Sequence, residues 1–397
     1  MSGVNSISTC EVCDASDLYP VLDLGSQPLC DDLVPIGNSA QPTRYPIELL
    51  CCTRCMTVHQ KYQVERSVLF PPSYHYRAAM TEDVLAGMRE LVELSTRIHG
   101  DLTDAVVLDI GSNDGSLLGI FKNAGARTIG IEPTGAAADA SARVDHIINK
   151  FFDAGSVQEY LSAFPKPDII TFTNVFAHIE DLGAVIANLR SLIKTGTTLI
   201  VENHYLGSVL KRFQFDTFYH EHPRTYSYRS FEYIAKKLDM NICHVDFPPR
   251  YNGNIRVALS KTSLASPPQV DETGFMEAFP KLVSHIVEVK TRTIAQLEEL
   301  AAAHGPLPAK AFPGRASVIL NYYGVDEALI AAAYERSGSP KVGCYIPGTR
   351  IPILDEREFF AKPDAPIIVN LAWHIRDEIH RYMRKNGYAG NILEIFS

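Results

Sequence analysis

Apolar residues recur along this chain in two rhythms. Short continuous runs such as Val106-Val107-Leu108, Ile169-Ile170 and Leu199-Ile200-Val201 each end in polar residues and read as buried parallel strands. Thr128-Ile129-Gly130-Ile131-Glu132 reads as another. Elsewhere the spacing is helical. Val84, Leu85, Met88, Leu91, Val92 and Leu94 predict a helix from Thr81 to His99. Met276, Phe279, Leu282, Val283, Ile286, Val289, Ile294 and Leu297 predict one from Phe275 to Ala303, stopped by His304-Gly305-Pro306. The alternation predicts a doubly wound α/β sheet in the middle of the chain. Ala309 to Ala316, Lys341 to Tyr345 and Ile367 to Leu371, alternating with helix-like segments, predict a second, smaller parallel α/β domain.

A length of 397 residues exceeds one ordinary core, so two or three domains are expected. A hydrophobic fraction of 46% and mean hydropathy of −0.03 fit a soluble globular protein. The net charge of −9 argues against a nucleic-acid or anionic-membrane surface, because both need clustered Lys and Arg. With neither a membrane-length apolar run nor the basic and apolar regions of a signal peptide in the first dozen residues, a cytoplasmic enzyme is expected, its eight cysteines reduced. Two Cys-x2-Cys knuckles, Cys10-Cys13 and Cys52-Cys55, then supply four thiolates for a closed tetrahedral Zn²⁺ site with a structural role. Cys30 and Cys51 are spare. Core cysteines or redox chemistry are the alternatives.

Ala105 to Ser116 is the stretch that organises the middle region. The run ending in Asp109-Ile110-Gly111-Ser112-Asn113-Asp114-Gly115 reads as strand, tight turn and the start of a helix over Leu117 to Ala124, the first unit of a nucleotide-type crevice. A dinucleotide fingerprint wants Gly-x-Gly-x-x-Gly, whereas this spacing gives Gly111, Asn113 and Ser116, which disfavours NAD. Glu132, at the tip of the next strand, is placed to accept hydrogen bonds from two ribose hydroxyls. Acids at both strand ends suit a cationic, phosphate-free adenosine ligand. The motif resembles that of the class I S-adenosylmethionine (SAM) methyltransferases.

Further polar residues stand past later strands: Asn174, His178, Glu180 and Asp181, with His178 alternatively only capping the next helix. Phe213 to His222 crowds aromatics among Tyr219, His220, Glu221, His222 and Asp216, an expensive grouping unless it meets a ligand or closes a buried network. Taken with the Cys knuckles, Tyr74-x-Tyr76 and Pro347-Gly348-Thr349-Arg350, these stretches resemble in order the three-domain sugar C-methyltransferases acting on nucleotide-linked 4-keto-deoxysugars. The resemblance implies a zinc-binding domain at 1–70, a class I SAM-methyltransferase (Rossmann-like) domain at 71–270 and a smaller C-terminal Rossmann-like α/β domain at 271–397 that helps clamp the nucleotide sugar. It implies His222 as the base that removes the C3 proton, supported by Glu221, with Tyr219, Tyr76 and His178 near the sugar. Asp109, Gly111, Asn113, Gly115, Glu132 and Asn174 are then the SAM-binding residues. The implied activity is C3-methylation of a nucleotide-diphosphate 4-keto-6-deoxyhexose through an enolate, for branched deoxysugar synthesis; oligomeric state is left open, a monomer being plausible. The chain departs from the family at Phe312-Pro313-Gly314-Arg315, where Arg315 is offered as a diphosphate contact or a surface arginine, and at His374. O- or N-methylation of a sugar or small metabolite, or a non-catalytic binding module, are the competing readings.

Overall fold

The structure, a computed structural model, describes residues 3–71, 77, 82–262 and 269–396. Packing divides the chain into two units: Met1–Pro20, Leu50–Arg212 and Glu221–Phe275 form the first, and Val21–Leu49, Phe213–His220 and Met276–Ser397 the second. Residues 21–49 fall in the same packing unit as the C-terminal region.

The first unit is built on seven strands: β1 (Val106–Ile110), β2 (Arg127–Ile131), β3 (His146–Ile148), β4 (Ile169–Thr173), β5 (Thr198–His204), β6 (Asn241–Asp246) and β7 (Asn254–Ser260). Their order is β3-β2-β1-β4-β5-β7-β6, with β7 antiparallel to both neighbours and the other pairs parallel. All five residues of β1 are buried, as a strand covered on both faces requires. Helix α1 (Glu82–His99) and helix α2 (Ser116–Asn123) occupy the expected segments. Register places Asp109 beside Gly130 on one side and Thr171 on the other. β6 and β7 are not evident in the sequence pattern, because His244 interrupts the one apolar run and Arg256 the other.

The second unit contains a wholly parallel sheet of β8 (Leu307–Lys310), β9 (Ile330–Glu335), β10 (Ile353–Asp355), β11 (Ile367–Asn370) and β12 (Asn391–Glu394), in the order β10-β9-β8-β11-β12. A helix over Phe275–His304 leads into it. The expected strand at Lys341 to Tyr345 is corrected: only Cys344–Tyr345 is extended, and it pairs antiparallel with Val34–Pro35 outside the parallel sheet. The sheet strand is instead Ile330–Glu335, whose three consecutive alanines carry a helical rather than a strand preference. No helix among the described residues is long and apolar enough to cross a membrane.

Candidate active site

The four knuckle cysteines converge. The Sγ atoms of Cys10, Cys13, Cys52 and Cys55 lie within 4.8 Å of one another, and all four residues are buried. Cys10 faces Cys55, and Cys13 faces Cys52, at 3.4 Å each. Supporting groups surround them: the Thr57 hydroxyl lies 3.0 Å from Cys55 Sγ, and His59 Nε2 lies 3.3 Å from Cys10 Sγ. Four soft donors on a closed shell with outer hydrogen bonds fit a structural Zn²⁺ ion, which supplies folding energy and leaves no open position for substrate.

The glycine turn after β1 has the backbone its sequence demands. Gly111, Asn113 and Gly115 have φ of 69°, 49° and 75°, and a Cβ on Gly111 would meet Val175 at 2.6 Å. Gly130 is equally constrained, since a Cβ there would come 2.4 Å from Ser112 Oγ. Glu132 accepts from the Asn113 amide at 2.9 Å and from the Thr134 amide at 2.8 Å, so the second acid shapes the turn after the first strand. Asp109 is buried and accepts from Thr171 Oγ1 at 2.7 Å. Burial pushes its carboxyl up to about 7, and the nearby Glu132 charge adds to the rise. Asn174, with φ of 54°, presents its Oδ1 to Asn254 Nδ2 at 3.1 Å. Asn254 in turn donates to the buried Glu202, which also binds Arg250 and Arg256. Three buried polar atoms at the carboxyl ends of β1, β4 and β5 have no partner among the described residues: Ser112 Oγ, Thr173 Oγ1 and Asn203 Nδ2. Unsatisfied groups beside two acids and a glycine cradle fit a polar cationic ligand such as SAM.

His178 and His222 come together, with ring centroids 4.8 Å apart. His178 closes a short turn after β4, Phe176–His178, and its Nδ1 lies 2.7 Å from the Glu221 carbonyl oxygen. Burial lowers its pKa to about 4, so the ring is neutral near pH 7 and donates that proton to the carbonyl. Two more rings extend the cluster. His204, the last residue of β5, stands 5.2 Å from His222, and Tyr251 stands 5.4 Å from His204. Tyr251, Asn252 and Gly253 have φ of 52°, 63° and 126°, three successive residues in a region that costs side chains energy. Gly253 is required there, as a Cβ would strike Ser208 Oγ at 2.2 Å.

The sequence pattern did not mark His204 or Tyr251. The usable signal was a histidine at the carboxyl tip of a parallel strand, where crevice residues collect. Glu221 is buried in the first unit with His222, and its main-chain oxygen is what holds His178. Tyr219 belongs to the second unit, and Tyr76 lies outside the described residues.

Arg315 is not a surface arginine. It is 9% exposed and forms a two-pronged pair with Asp216, Nε to Oδ2 at 2.8 Å and Nη2 to Oδ1 at 2.6 Å. Trp373 Nε1 donates to the same carboxylate at 2.8 Å. The donors that a diphosphate would need are thus already engaged within the second unit.

Comparisons with known proteins agree with this layout. Three family models match in order: a zinc binding domain over residues 10–70, a methyltransferase domain over 76–245 and a C-methyltransferase C-terminal domain over 269–393. The chain is 28% identical over 401 residues to C-methyltransferase NovU of Streptomyces niveus, covering 95% of this chain and 92% of that protein. Among solved structures, magnesium protoporphyrin IX methyltransferase of Synechocystis PCC 6803 with bound SAH is similar over 46% of this chain and 84% of its own, at 16% identity and a TM-score of 0.36. A Burkholderia thailandensis 1,6-didemethyltoxoflavin-N1-methyltransferase is similar over 45% and 78%, at 13% identity and 0.34. With these three domain models matching in order along one chain, and with the likeness to NovU over nearly its whole length, the protein is a SAM-dependent C-methyltransferase similar to NovU.

Proposed function

We propose that this C-methyltransferase acts at C3 of a nucleotide-diphosphate 4-keto-6-deoxyhexose, with SAM as methyl donor and His222 as the base. The observation that carries the reading is the ring cluster of His178, His222 and His204 at the carboxyl edge of the sheet whose first two strand ends carry Asp109 and Glu132. Carbon is a poor nucleophile until it loses a proton, so C-methylation beside a ketone needs a positioned base and groups that offset charge on the oxygen. An imidazole supplies the base near neutral pH. Bound SAM supplies an electrophilic methyl group on a sulfonium.

The remaining roles follow from local chemistry. His222 takes the C3 proton; neutral His178, its Nδ1–H committed to the Glu221 carbonyl, holds the loop that carries His222. Asp109, once ionised, offsets the positive charge of the donor, and Glu132 with the Asn113 turn offers acceptors for ribose hydroxyls. Tyr219 and Tyr76 are assigned to the sugar by the family resemblance.

Mass spectrometry of products from dTDP-, GDP- and UDP-linked 4-keto-6-deoxy sugars incubated with SAM tests the reading. A product heavier by one methylene, with the new methyl on carbon, is expected from at least one of them. Methyl transfer only to oxygen or nitrogen would replace it with heteroatom methylation.

A further inference from the structure

The zinc site and the ring cluster are joined by a short chain of contacts inside the first unit. Cys10 Sγ lies 3.3 Å from His59 Nε2, and His59 Nδ1 lies 3.3 Å from Glu11 Oε2. Glu11 pairs with Arg224 at 2.7 Å and accepts from Gln63 Nε2 at 2.8 Å. The backbone repeats the connection. Val58–Gln60 and Arg224–Thr225 form an antiparallel ladder, with Arg224 opposite His59 and Thr225 opposite Val58. Gln60 extends that ladder by two bonds: its amide donates to the Pro223 carbonyl at 2.8 Å, and its side-chain Nε2 donates to the His222 carbonyl at 3.0 Å. Gln60, His59 and Arg224 are all buried.

This arrangement is more than lobe stability requires. A metal knuckle is stabilised by its own four ligands and their outer hydrogen bonds. Here the strand leaving the second knuckle grips the two residues His222 and Pro223, and an ion pair between buried Arg224 and half-buried Glu11 fixes the next residue to the first knuckle. We propose that the zinc lobe positions the catalytic base: Gln60, backed by the Cys10–His59–Glu11–Arg224 chain, sets the place of the His222 backbone and so aims its ring. Gln60 is a positioning residue, and the inference rests on His222 being the base.

The test uses the full-length, zinc-loaded protein and Gln60→Met, which keeps side-chain volume and the main-chain bond to Pro223 but removes the donor to His222. The expected result is a kcat for C-methylation about tenfold lower, with the KM for SAM within about twofold of the parent. Zinc content per chain stays the same. Equal kcat in the two proteins, or a loss of SAM affinity in step with kcat, would overturn the proposal. A second measurement stands apart from turnover: amide exchange before and after zinc is stripped from the unaltered protein with a chelator. Peptides over 52–60 and 221–226 should lose protection together while 106–116 keeps its own. Continued protection of 221–226 after metal loss, or simultaneous opening of all three, would also overturn it. If the unaltered protein methylates no carbon of any keto sugar, the assignment of His222 falls instead, and the exchange data still decide whether metal and loop are coupled.

Discussion

The mostly parallel N-terminal sheet and the wholly parallel C-terminal sheet share an architecture and differ at their carboxyl edges. In the C-terminal sheet three strand-end polar groups find partners, although Ala311, just past β8, is also left-handed with φ of 62°. Lys310 pairs with Glu356 at 2.5 Å, Glu335 accepts from the Phe312 amide at 2.8 Å, and Asn370 binds Glu394 at 2.8 Å. In the N-terminal sheet the corresponding edge keeps buried polar atoms at Ser112, Thr173 and Asn203 without partners among the described residues, an acid raised to about 7 at Asp109, and left-handed backbone at Gly111, Asn113 and Asn174. Unsatisfied buried groups persist where a ligand completes the structure. One fold thus provides a finished edge in one place and a receptive edge in the other.

The sharpest way to break the contrast is His222→Asn. It should lower kcat about 100- to 10,000-fold, with the Kd for SAM, read by calorimetry, unchanged. Turnover within tenfold of the parent would move the base elsewhere. Lys310→Met probes the finished edge: Glu356 is left buried without its cation, so unfolding should cost about 3–5 kcal/mol less, measured by denaturant titration. The pair Lys310→Met with Glu356→Leu should recover most of that loss, and SAM affinity should move in neither. At the receptive edge, Gly111→Ala forces a Cβ onto Val175 in a left-handed backbone, an expected cost of roughly 1–3 kcal/mol with loss of SAM binding.

The smallest expected effect has the most informative sign. The Asp109 carboxyl is raised in the folded state, so the folded protein binds more protons than the unfolded chain between the ordinary carboxylate range and about pH 7. Its contribution to stability therefore falls as pH rises through that window and levels off above it. Asp109→Asn should stabilise the ligand-free protein by roughly 1 kcal/mol or more at pH 8 and by less at pH 5, while weakening SAM binding. A variant less stable than the parent at pH 8 would contradict the assignment.

Much of this was legible in local sequence. The runs at Val106, Ile129, Ile169 and Leu199 announced the N-terminal sheet, and the Gly111–Gly115 turn with Glu132 marked its receptive edge, since strand, turn and capping chemistry act over a few residues. The two Cys knuckles likewise declared their site. What escaped was non-local. His204 acquires meaning only because Gly253, far along the chain, lets Tyr251 approach it, and Arg315 is hidden by Asp216, 99 positions earlier. The boundary between packing units falls inside the Tyr219-His220-Glu221-His222 stretch, which no composition change signals. Ile330–Glu335 was masked by its alanines, whose preference yielded to the parallel neighbours Leu307–Lys310 and Ile353–Asp355.

The central claim, that His222 makes carbon nucleophilic before any methyl moves, is tested most directly by proton NMR of a 4-keto-6-deoxy nucleotide sugar in deuterated water with the protein and no SAM. The account predicts protein-dependent loss of the C3 proton signal with the parent protein and retention with His222→Asn. Retention with a parent protein that C-methylates the same sugar when SAM is added, or equal loss with both proteins, would contradict it.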